Sequence, residues 1–248
     1  MTTIKNFFIV TLVLLANTSA MAKPYFNFDQ RTIYENLIDD PFPSDSAEKQ
    51  NEIEQIIKLQ RNLNKDEIEQ TNHEIYLRPG ELIKSINPEL TRKLYPSLYK
   101  LMDRTEETAH NIKNSIKDHY SNVARPYKIN QKIKLLGTLS DDQSYPSGHA
   151  TKAYTMAHVL KLLIPDKKRE LYDKAYEISY HRVLTGEHFP SDIDAGYKLS
   201  LIILGGLLQN SDFQNDFRMA QKELKEHQKK EIKVFKKHIK HYTKSKTS

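Results

Sequence analysis

The sequence predicts an all-α protein built as a single helical-bundle domain, and three observations support this prediction. Apolar residues recur at the three- and four-residue spacing of a helix along much of the chain, whereas the two-residue alternation of a half-buried strand is scarce. No segment of about 20–50 residues repeats, which disfavours solenoids and propellers. The 248 residues suffice for one large domain or two small ones with a sizeable core.

The composition excludes several classes of protein. The absence of cysteine excludes disulfide bonds, thiolate metal sites, a cysteine nucleophile and a lipid-modified cysteine. The mean hydropathy is −0.68, and no internal stretch approaches the roughly 20 apolar residues of a membrane span. A polytopic membrane protein is therefore excluded, and 7 Gly with 10 Pro exclude collagen-like and Gly/Pro-rich disordered chains.

Residues 1–22 predict a cleaved signal peptide. Lys5 precedes a ten-residue apolar run with one Thr, and Ala20-Met21-Ala22 matches the small-x-small pattern of a cleavage site. The run is too short for a stable anchor, which disfavours the alternative of an uncleaved segment. We therefore expect export, with cleavage near Ala22, to the periplasm of a bacterium with two membranes.

Residues 23–46 predict an extended N-terminal arm that leads into the first helix. Asp45-Ser46 is typical of a helix start. The apolar residues that follow share one side of the predicted helix: Ile53, Ile56, Ile57 and Leu63. Pro79-Gly80 predicts a turn.

The strongest helical pattern covers residues 97–121, where apolar residues keep their spacing across six turns. The polar residues 127–145 predict a loop over a site. Gly186 is predicted to end a later helix, and Ser191 to cap the start of the next one. The remaining predicted helices cover 149–163, 167–185, a segment after Ser191 that reaches Leu207, and a long final segment over 213–242.

The positive charge is concentrated at the C-terminus. The formal net charge is +6, and residues 221–248 alone hold ten Lys against three Glu, whereas residues 23–220 carry a net −2. We therefore divide the mature chain into the arm, an all-α domain over 47–220 and a Lys-rich amphipathic helix over 221–248. Two interpretations of this tail stay open: a solvated helix, or weak adhesion to anionic lipid, envelope polymer or nucleic acid. No specific nucleic-acid partner is predicted, because the folded body lacks positive charge.

Three short segments combine cationic side chains with histidine and carboxylate. The first contains Lys117 and Arg125. The third segment contains Arg182, His188 and Asp192. Arg182 lies on an apolar helix face, where it needs either a structural carboxylate or a bound anion. His188 and Asp192 flank a turn into a helix, so the carboxylate can hold one ring nitrogen and leave the other free to attack, although such a pair is also a common structural bond.

The second segment, Pro146-Ser147-Gly148-His149, opens a helix. Backbone N–H groups at a helix start bind phosphate oxygens, and Gly148 permits a close approach of the anion. Taken alone, this is also an ordinary helix start. Taken together, the three segments supply three cations, a backbone anion site and two histidines, which is what phosphoryl transfer through a phosphohistidine requires.

The order and spacing of these residues resemble the signature of the acid phosphatase and vanadium haloperoxidase superfamily, also called the type 2 phosphatidic acid phosphatase superfamily. Within it, the chain most resembles the bacterial class A non-specific acid phosphatases. The similarity extends to longer runs: KDHY at 117–120, SYPSGH at 144–149, RVLTGEHFPSDIDA at 182–195, and the DFQNDF and KEHQ stretches within 212–228.

The resemblance implies a role for each residue. His188 is the nucleophile and Asp192 orients its ring, while His149 protonates the leaving oxygen and then activates water. The implied phosphate-binding residues are Lys117, Arg125, Ser147, Gly148 and Arg182. The resemblance implies no metal and no cofactor, and a small-molecule phosphomonoester as substrate.

The sequence departs from the family pattern in two places. Seven residues separate Lys117 from Arg125 where the family usually has six, and one extra residue turns a helix by about 100°. The assignment of Lys117 therefore requires a bulge or an unwound turn near Ser121-Asn122 that absorbs the extra residue. His181 stands where the family usually has serine.

The leading hypothesis is a secreted, metal-independent acid phosphatase that hydrolyses phosphomonoesters. Three alternatives stay open at the level of sequence. The chain is also compatible with a vanadium-dependent haloperoxidase, with a lipid-phosphate phosphatase, and with a non-enzymatic envelope-binding protein that uses the basic tail.

Overall fold

The computed structural model describes residues 22–27, 36–64, 68–69, 77–137 and 142–245, with side chains up to residue 236. These ranges contain eight α-helices and no strand, which confirms the all-α prediction. The predicted signal peptide lies, except for Ala22, outside the described residues. The helices are α1 (Ala47–Arg61), α2 (Pro79–Ile86), α3 (Pro96–His119), α4 (Pro126–Ile129), α5 (Gly148–Leu163), α6 (Lys168–Leu184), α7 (Pro190–Gln209) and α8 (Ser211–Ser245), with a 3₁₀ turn at Pro165–Lys167.

Helix α5 forms the centre of the bundle, packed against α3, α6 and α7. Its residues 153–160 are all buried, over more than two turns, so this stretch is enclosed on every side. Gly196 of α7 makes the contact with α5 close, because a Cβ there would lie 2.8 Å from both Ala150 Cβ and Ser147 O. The start of α5 is therefore fixed by its neighbours.

Most predicted helix limits agree with the structure within two residues. Ser46 caps α1 by accepting a hydrogen bond from Lys49 N, as expected from its sequence, although α1 ends at Arg61 and does not reach Leu63. Gly186 follows α6 with a φ of +74°, the left-handed conformation that glycine favours at a helix end. The predicted loop over 127–145 contains the short helix α4, and its residues 138–141 lie outside the described residues.

Two of the predictions were wrong. Pro79-Gly80 does not form a turn but begins α2, because proline is well suited to the first position of a helix and Leu82, Ile83 and Ile86 are buried beneath it. Ser191 does not cap α7. The cap is Phe189, and Pro190 takes the first helical position. The Asp192 carboxylate accepts a hydrogen bond from Phe189 N at 2.8 Å, so a residue inside the helix does the capping.

Helix α8 packs along α3. Glu223 accepts hydrogen bonds from Ser97 N and Leu98 N at 3.1 and 3.0 Å, and so satisfies backbone donors at the start of α3. Contacts between α8 and the rest of the bundle thus continue beyond residue 220. The predicted division of the chain at 220/221 stays a prediction. None of the helices in the described ranges is long and apolar enough to cross a membrane.

Asp216 of α8 ties the N-terminal arm to α3. Its carboxylate accepts hydrogen bonds from Tyr25 Oη at 3.0 Å, Lys100 Nζ at 2.8 Å and Arg104 NH1 at 2.7 Å. Burial raises the pKa of Asp216, but these three hydrogen bonds outweigh burial and hold the pKa below its usual value. The ionised carboxylate therefore stabilises the fold.

We expect Asp216→Asn to lower the free energy of unfolding at pH 7 by about 2 kcal/mol, because Arg104 and Tyr25 lose their anionic acceptor. The lowered pKa also sets the pH dependence. The stabilisation by the ionised Asp216 is complete above about 3.9, the pKa of Asp in the unfolded chain, and it is lost as the pH falls through the lower pKa of the folded state. Urea unfolding at pH 7 and pH 3 measures both quantities.

Asp212→Asn is the matched control. Asp212 also faces Arg104, at 3.4 Å, but its side chain is 65% exposed. An exposed ion pair contributes little, so we expect a change below about 0.5 kcal/mol. Equal effects of the two substitutions would contradict the assignment of Asp216.

Candidate active site

Five parts of the bundle meet at a cavity of about 140 Å³: the C-terminal half of α3, the start of α4, the segment before α5, the start of α5, and the turn between α6 and α7. Five of the eight predicted site residues line this cavity: Lys117, Arg125, Gly148, His149 and His188. Residues separated by 71 positions in the sequence are thus brought together by the packing of α3, α5 and α7.

The turn before α7 places His188 against Asp192. His188 Nδ1 lies 3.3 Å from Asp192 Oδ2, and both side chains are buried. The same carboxylate oxygen accepts hydrogen bonds from Ser144 Oγ at 2.5 Å and from Phe189 N. Asp192 is therefore held from three sides and fixes the orientation of the His188 ring.

The hydrogen bonds also define which nitrogen of His188 is unprotonated. A guanidinium only donates, so Arg125 NH1, 3.3 Å from His188 Nε2, requires Nε2 to be an acceptor. The proton of the neutral ring is then on Nδ1 and is donated to Asp192. This is the tautomer in which Nε2 presents a lone pair to the cavity.

Electrostatics keep His188 neutral. Burial lowers its pKa well below the usual value, and the positive charges of Arg125 and Lys117 lower the pKa further. Burial also raises the pKa of Asp192, although the hydrogen bonds from Ser144 and Phe189 N oppose that shift. The nucleophilic form of the ring is thereby available in acidic solution.

Two buried cations stand beside His188. Arg125 donates to the carbonyl oxygens of Glu187 at 2.8 Å and Asp142 at 3.0 Å. Lys117 donates to the carbonyl of Gln143. Burial, with the nearby charges of Arg125 and Lys113, lowers the pKa of Lys117 to about 8 against the opposing effect of Asp142, so the ammonium stays protonated in acidic solution. The extra residue after Lys117 does not turn it away, because α3 ends at His119 and the chain reaches Arg125 through a turn.

The start of α5 forms the opposite wall. Ser147 is the N-cap, and its hydroxyl accepts a hydrogen bond from Ala150 N at 3.3 Å. Its own N–H donates to Asp192 O at 2.9 Å, which joins α5 to α7 at the site. His149 is partly exposed and lines the cavity, in a position open to solvent. The positive end of the helix dipole therefore points toward the cavity.

Arg182 lies beneath the cavity. It is 1% exposed, and its NH1 pairs with Glu187 Oε2 at 2.9 Å. The Glu187 carboxylate also accepts from Thr185 Oγ1 at 3.1 Å and itself lines the cavity. Arg182 thus has the structural carboxylate that the sequence left as one alternative, and Glu187 lies between its NH1 group and the cavity.

Helix α1 supports the site through contacts that sequence reasoning missed. Glu52 accepts hydrogen bonds from Ser191 N at 2.6 Å and Ser191 Oγ at 3.0 Å, which holds the start of α7. Lys49 pairs with Glu52 at 2.8 Å and places its ammonium 3.7 Å from the centre of the Phe189 ring. No short motif signals the contacts of Glu52 with Ser191 and of Lys49 with Phe189, because they join residues about 140 positions apart.

Sequence comparison agrees with this geometry. Residues 108–216 match the PAP2 superfamily. This range contains every predicted site residue, from Lys117 to Asp192.

The chain is similar to several bacterial acid phosphatases. It is 30% identical over 139 residues to a non-specific acid phosphatase of Providencia stuartii, covering 54% of this chain and 56% of the relative. It is 30% identical over 129 residues to an acid phosphatase of Zymomonas mobilis, covering 47% and 49%. It is 34% identical over 87 residues to a non-specific acid phosphatase of Salmonella typhi, covering 35% of each. The chain therefore matches about half the length, or less, of these relatives.

The low pKa of His188 generates a prediction. Lys117→Met should raise the pKa of His188, because the substitution removes a buried positive charge beside the ring. Titration of the isotope-labelled His188 ring by NMR measures this shift. Lys152→Met is the control: Lys152 lines the same cavity, but its Nζ is compensated by Glu106 Oε1 at 3.0 Å, so we expect a smaller shift. An unchanged His188 pKa in Lys117→Met would contradict the electrostatic account.

Proposed function

We propose that this chain, which carries a PAP2 superfamily domain over residues 108–216, is a metal-independent acid phosphatase that hydrolyses small phosphomonoesters through a phosphohistidine. One observation carries the proposal. His188 presents an unprotonated Nε2, which accepts a hydrogen bond from Arg125, to a cavity lined by buried cations, while Asp192 holds its other nitrogen. A nucleophile, an orienting carboxylate and charges for a phosphoryl group are thereby assembled at one place.

In the first step, the lone pair of His188 Nε2 forms a bond to phosphorus while the bond from phosphorus to the leaving oxygen breaks. His149 transfers a proton to that oxygen, which leaves as an alcohol. Lys117, Arg125 and the N–H groups at the start of α5 neutralise the phosphoryl oxygens. Asp192 stabilises the positive charge that develops on the His188 ring.

In the second step, His149 is neutral and accepts a proton from water. The water oxygen bonds to phosphorus as the N–P bond breaks, which restores His188 and releases inorganic phosphate. This cycle requires His149 to be protonated at the start while His188 is neutral. The lowered pKa of His188 keeps its attacking nitrogen unprotonated in acidic solution, which supports turnover there.

The proposal extends to location and partners. Residues 1–22 act as a cleaved signal peptide, so the phosphatase works in the periplasm. The Lys-rich segment 221–248 contributes at most a weak contact with anionic surfaces, and catalysis takes place in the domain over 47–220.

We expect the full chain to hydrolyse p-nitrophenyl phosphate in EDTA, and His188→Ala to reduce the rate by about 10⁴-fold or more, since the nucleophile is lost. Quenching turnover in alkali and mapping the label by mass spectrometry should identify phosphate on His188. His149→Ala should still accumulate the phosphoenzyme from a substrate with a good leaving group, but hydrolyse it slowly.

His227→Ala is the control, because His227 packs its ring against Tyr95, away from the cavity. We expect its rate and labelling to equal those of the unaltered chain. Loss of activity in EDTA with recovery on adding zinc or magnesium would refute the metal-free mechanism. Label on a serine would refute the assignment of His188.

A further inference from the structure

Asp142 inserts a carboxylate among three cations of the cavity. Its Oδ1 accepts a hydrogen bond from Arg125 NH2, and its Oδ2 lies 3.3 Å from Lys117 Nζ and 3.8 Å from Lys113 Nζ. We call Lys113, Lys117 and Arg125 the cation cluster. Neither Asp142 nor Lys113 was among the site residues expected from the sequence.

The carboxylate and the cluster differ in their freedom to move. The side chains of Lys117 and Arg125 are 3% and 5% exposed, and that of Lys113 is 11% exposed. The side chain of Asp142 is 39% exposed. Asp142 therefore reaches the cluster from the solvent side and can rotate back into water, whereas the cations are fixed by the bundle.

We infer that the Asp142 carboxylate occupies the position of the substrate's phosphoryl group, and that Lys113 is a further substrate-binding residue. The inference rests on the proposed function. It adds two features to the site: Asp142 as an internal anion that competes with substrate, and Lys113 as a third cation beside Lys117 and Arg125. When substrate enters, its phosphoryl oxygens replace the carboxylate oxygens on the cluster, and Asp142 turns to solvent.

Charge and geometry both favour this exchange. A carboxylate has one negative charge and two oxygens, so one oxygen must be shared by Lys113 and Lys117. A phosphomonoester has three non-bridging oxygens, so each cation can have its own oxygen, and above its second pKa of about 6 it also has a second negative charge. Asp142 cannot remain beside the dianion, because two like charges would then meet in a largely buried cavity.

The path of Lys113 fits a role in substrate binding. Lys113 and Lys117 are four residues apart on α3 and so lie on the same helix face. The stem of Lys113 passes over the start of α5, where a Cβ on Gly148 would lie 3.2 Å from Lys113 Cδ and Cε. The same Cβ would lie 3.5 Å from Lys113 Nζ, so the ammonium stands beside the start of α5 as well as beside Asp142.

A purely structural role for Asp142 predicts the opposite effect on ligand binding. If Asp142 only held the cations in place, its loss would let them separate and would weaken phosphate binding. If Asp142 competes with phosphate, its loss strengthens binding. The sign of the change therefore decides between the two roles.

Isothermal titration of inorganic phosphate into the full chain tests the inference. We expect Asp142→Asn to bind phosphate about tenfold more tightly, as follows if the carboxylate occupies the cluster about nine-tenths of the time. We expect Lys113→Met to bind phosphate about fivefold more weakly, through loss of one charged contact. The charge-matched controls Asp118→Asn, which alters an exposed residue of α3, and Lys174→Met, which breaks a pair with Glu177 on α6, should leave the dissociation constant unchanged.

The inference is overturned if Asp142→Asn binds phosphate equally or more weakly than the unaltered chain, or if Lys113→Met binds it equally well. Circular dichroism verifies folding, and if Asp142→Asn does not fold, Lys113→Met decides. The proposed function fails separately: a chain that binds phosphate but forms no phosphohistidine refutes the mechanism alone. A chain that forms phosphohistidine but shows no effect of these substitutions refutes the inference alone.

Discussion

The burial of positive charge around one small cavity is the constraint on which the site depends. Lys117, Arg125 and Arg182 are each less than 5% exposed, and Lys113 is nearly as buried. Burying an ammonium or guanidinium is costly unless an anion or a full set of acceptors compensates. The chain meets this requirement with the carboxylates of Asp142 and Glu187 and with backbone carbonyls beside them. Such an arrangement is suited to a ligand that brings more negative charge than Asp142 supplies.

The rest of the bundle fixes these groups in place. Helix α5 packs against α3, α6 and α7, and its N-terminus is held against α7, where Ser147 N donates to Asp192 O. Helix α1 secures the beginning of α7 through Glu52 and Ser191. Lys117 lies on α3, whereas His188 and Arg125 lie in the turns that lead into α7 and α4. The packing of these helices therefore sets the distance between His188 and the cations.

Sequence reasoning predicted the helices and the principal site residues because both leave local signals. Apolar spacing predicted α3, and the helix start at 146–149 predicts an anion site. The boundary at Ser191 was missed because Asp192 caps α7 from inside the helix while it also holds His188. Lys113 and Asp142 were missed for a different reason: their role depends on a long-range contact between α3 and the segment before α5. A lysine on a helix and an aspartate in a polar loop carry no motif.

The thermal unfolding of the full chain in inorganic phosphate tests most directly whether the buried cations form a phosphate site. A ligand that binds only the folded state stabilises it by about 2.7 kcal/mol at a concentration of 100 times Kd. At constant ionic strength, the account predicts that Tm rises with phosphate but not with chloride, and that Arg125→Met abolishes the rise. Equal Tm values in the two salts, or an equal phosphate effect in Arg125→Met, would contradict it.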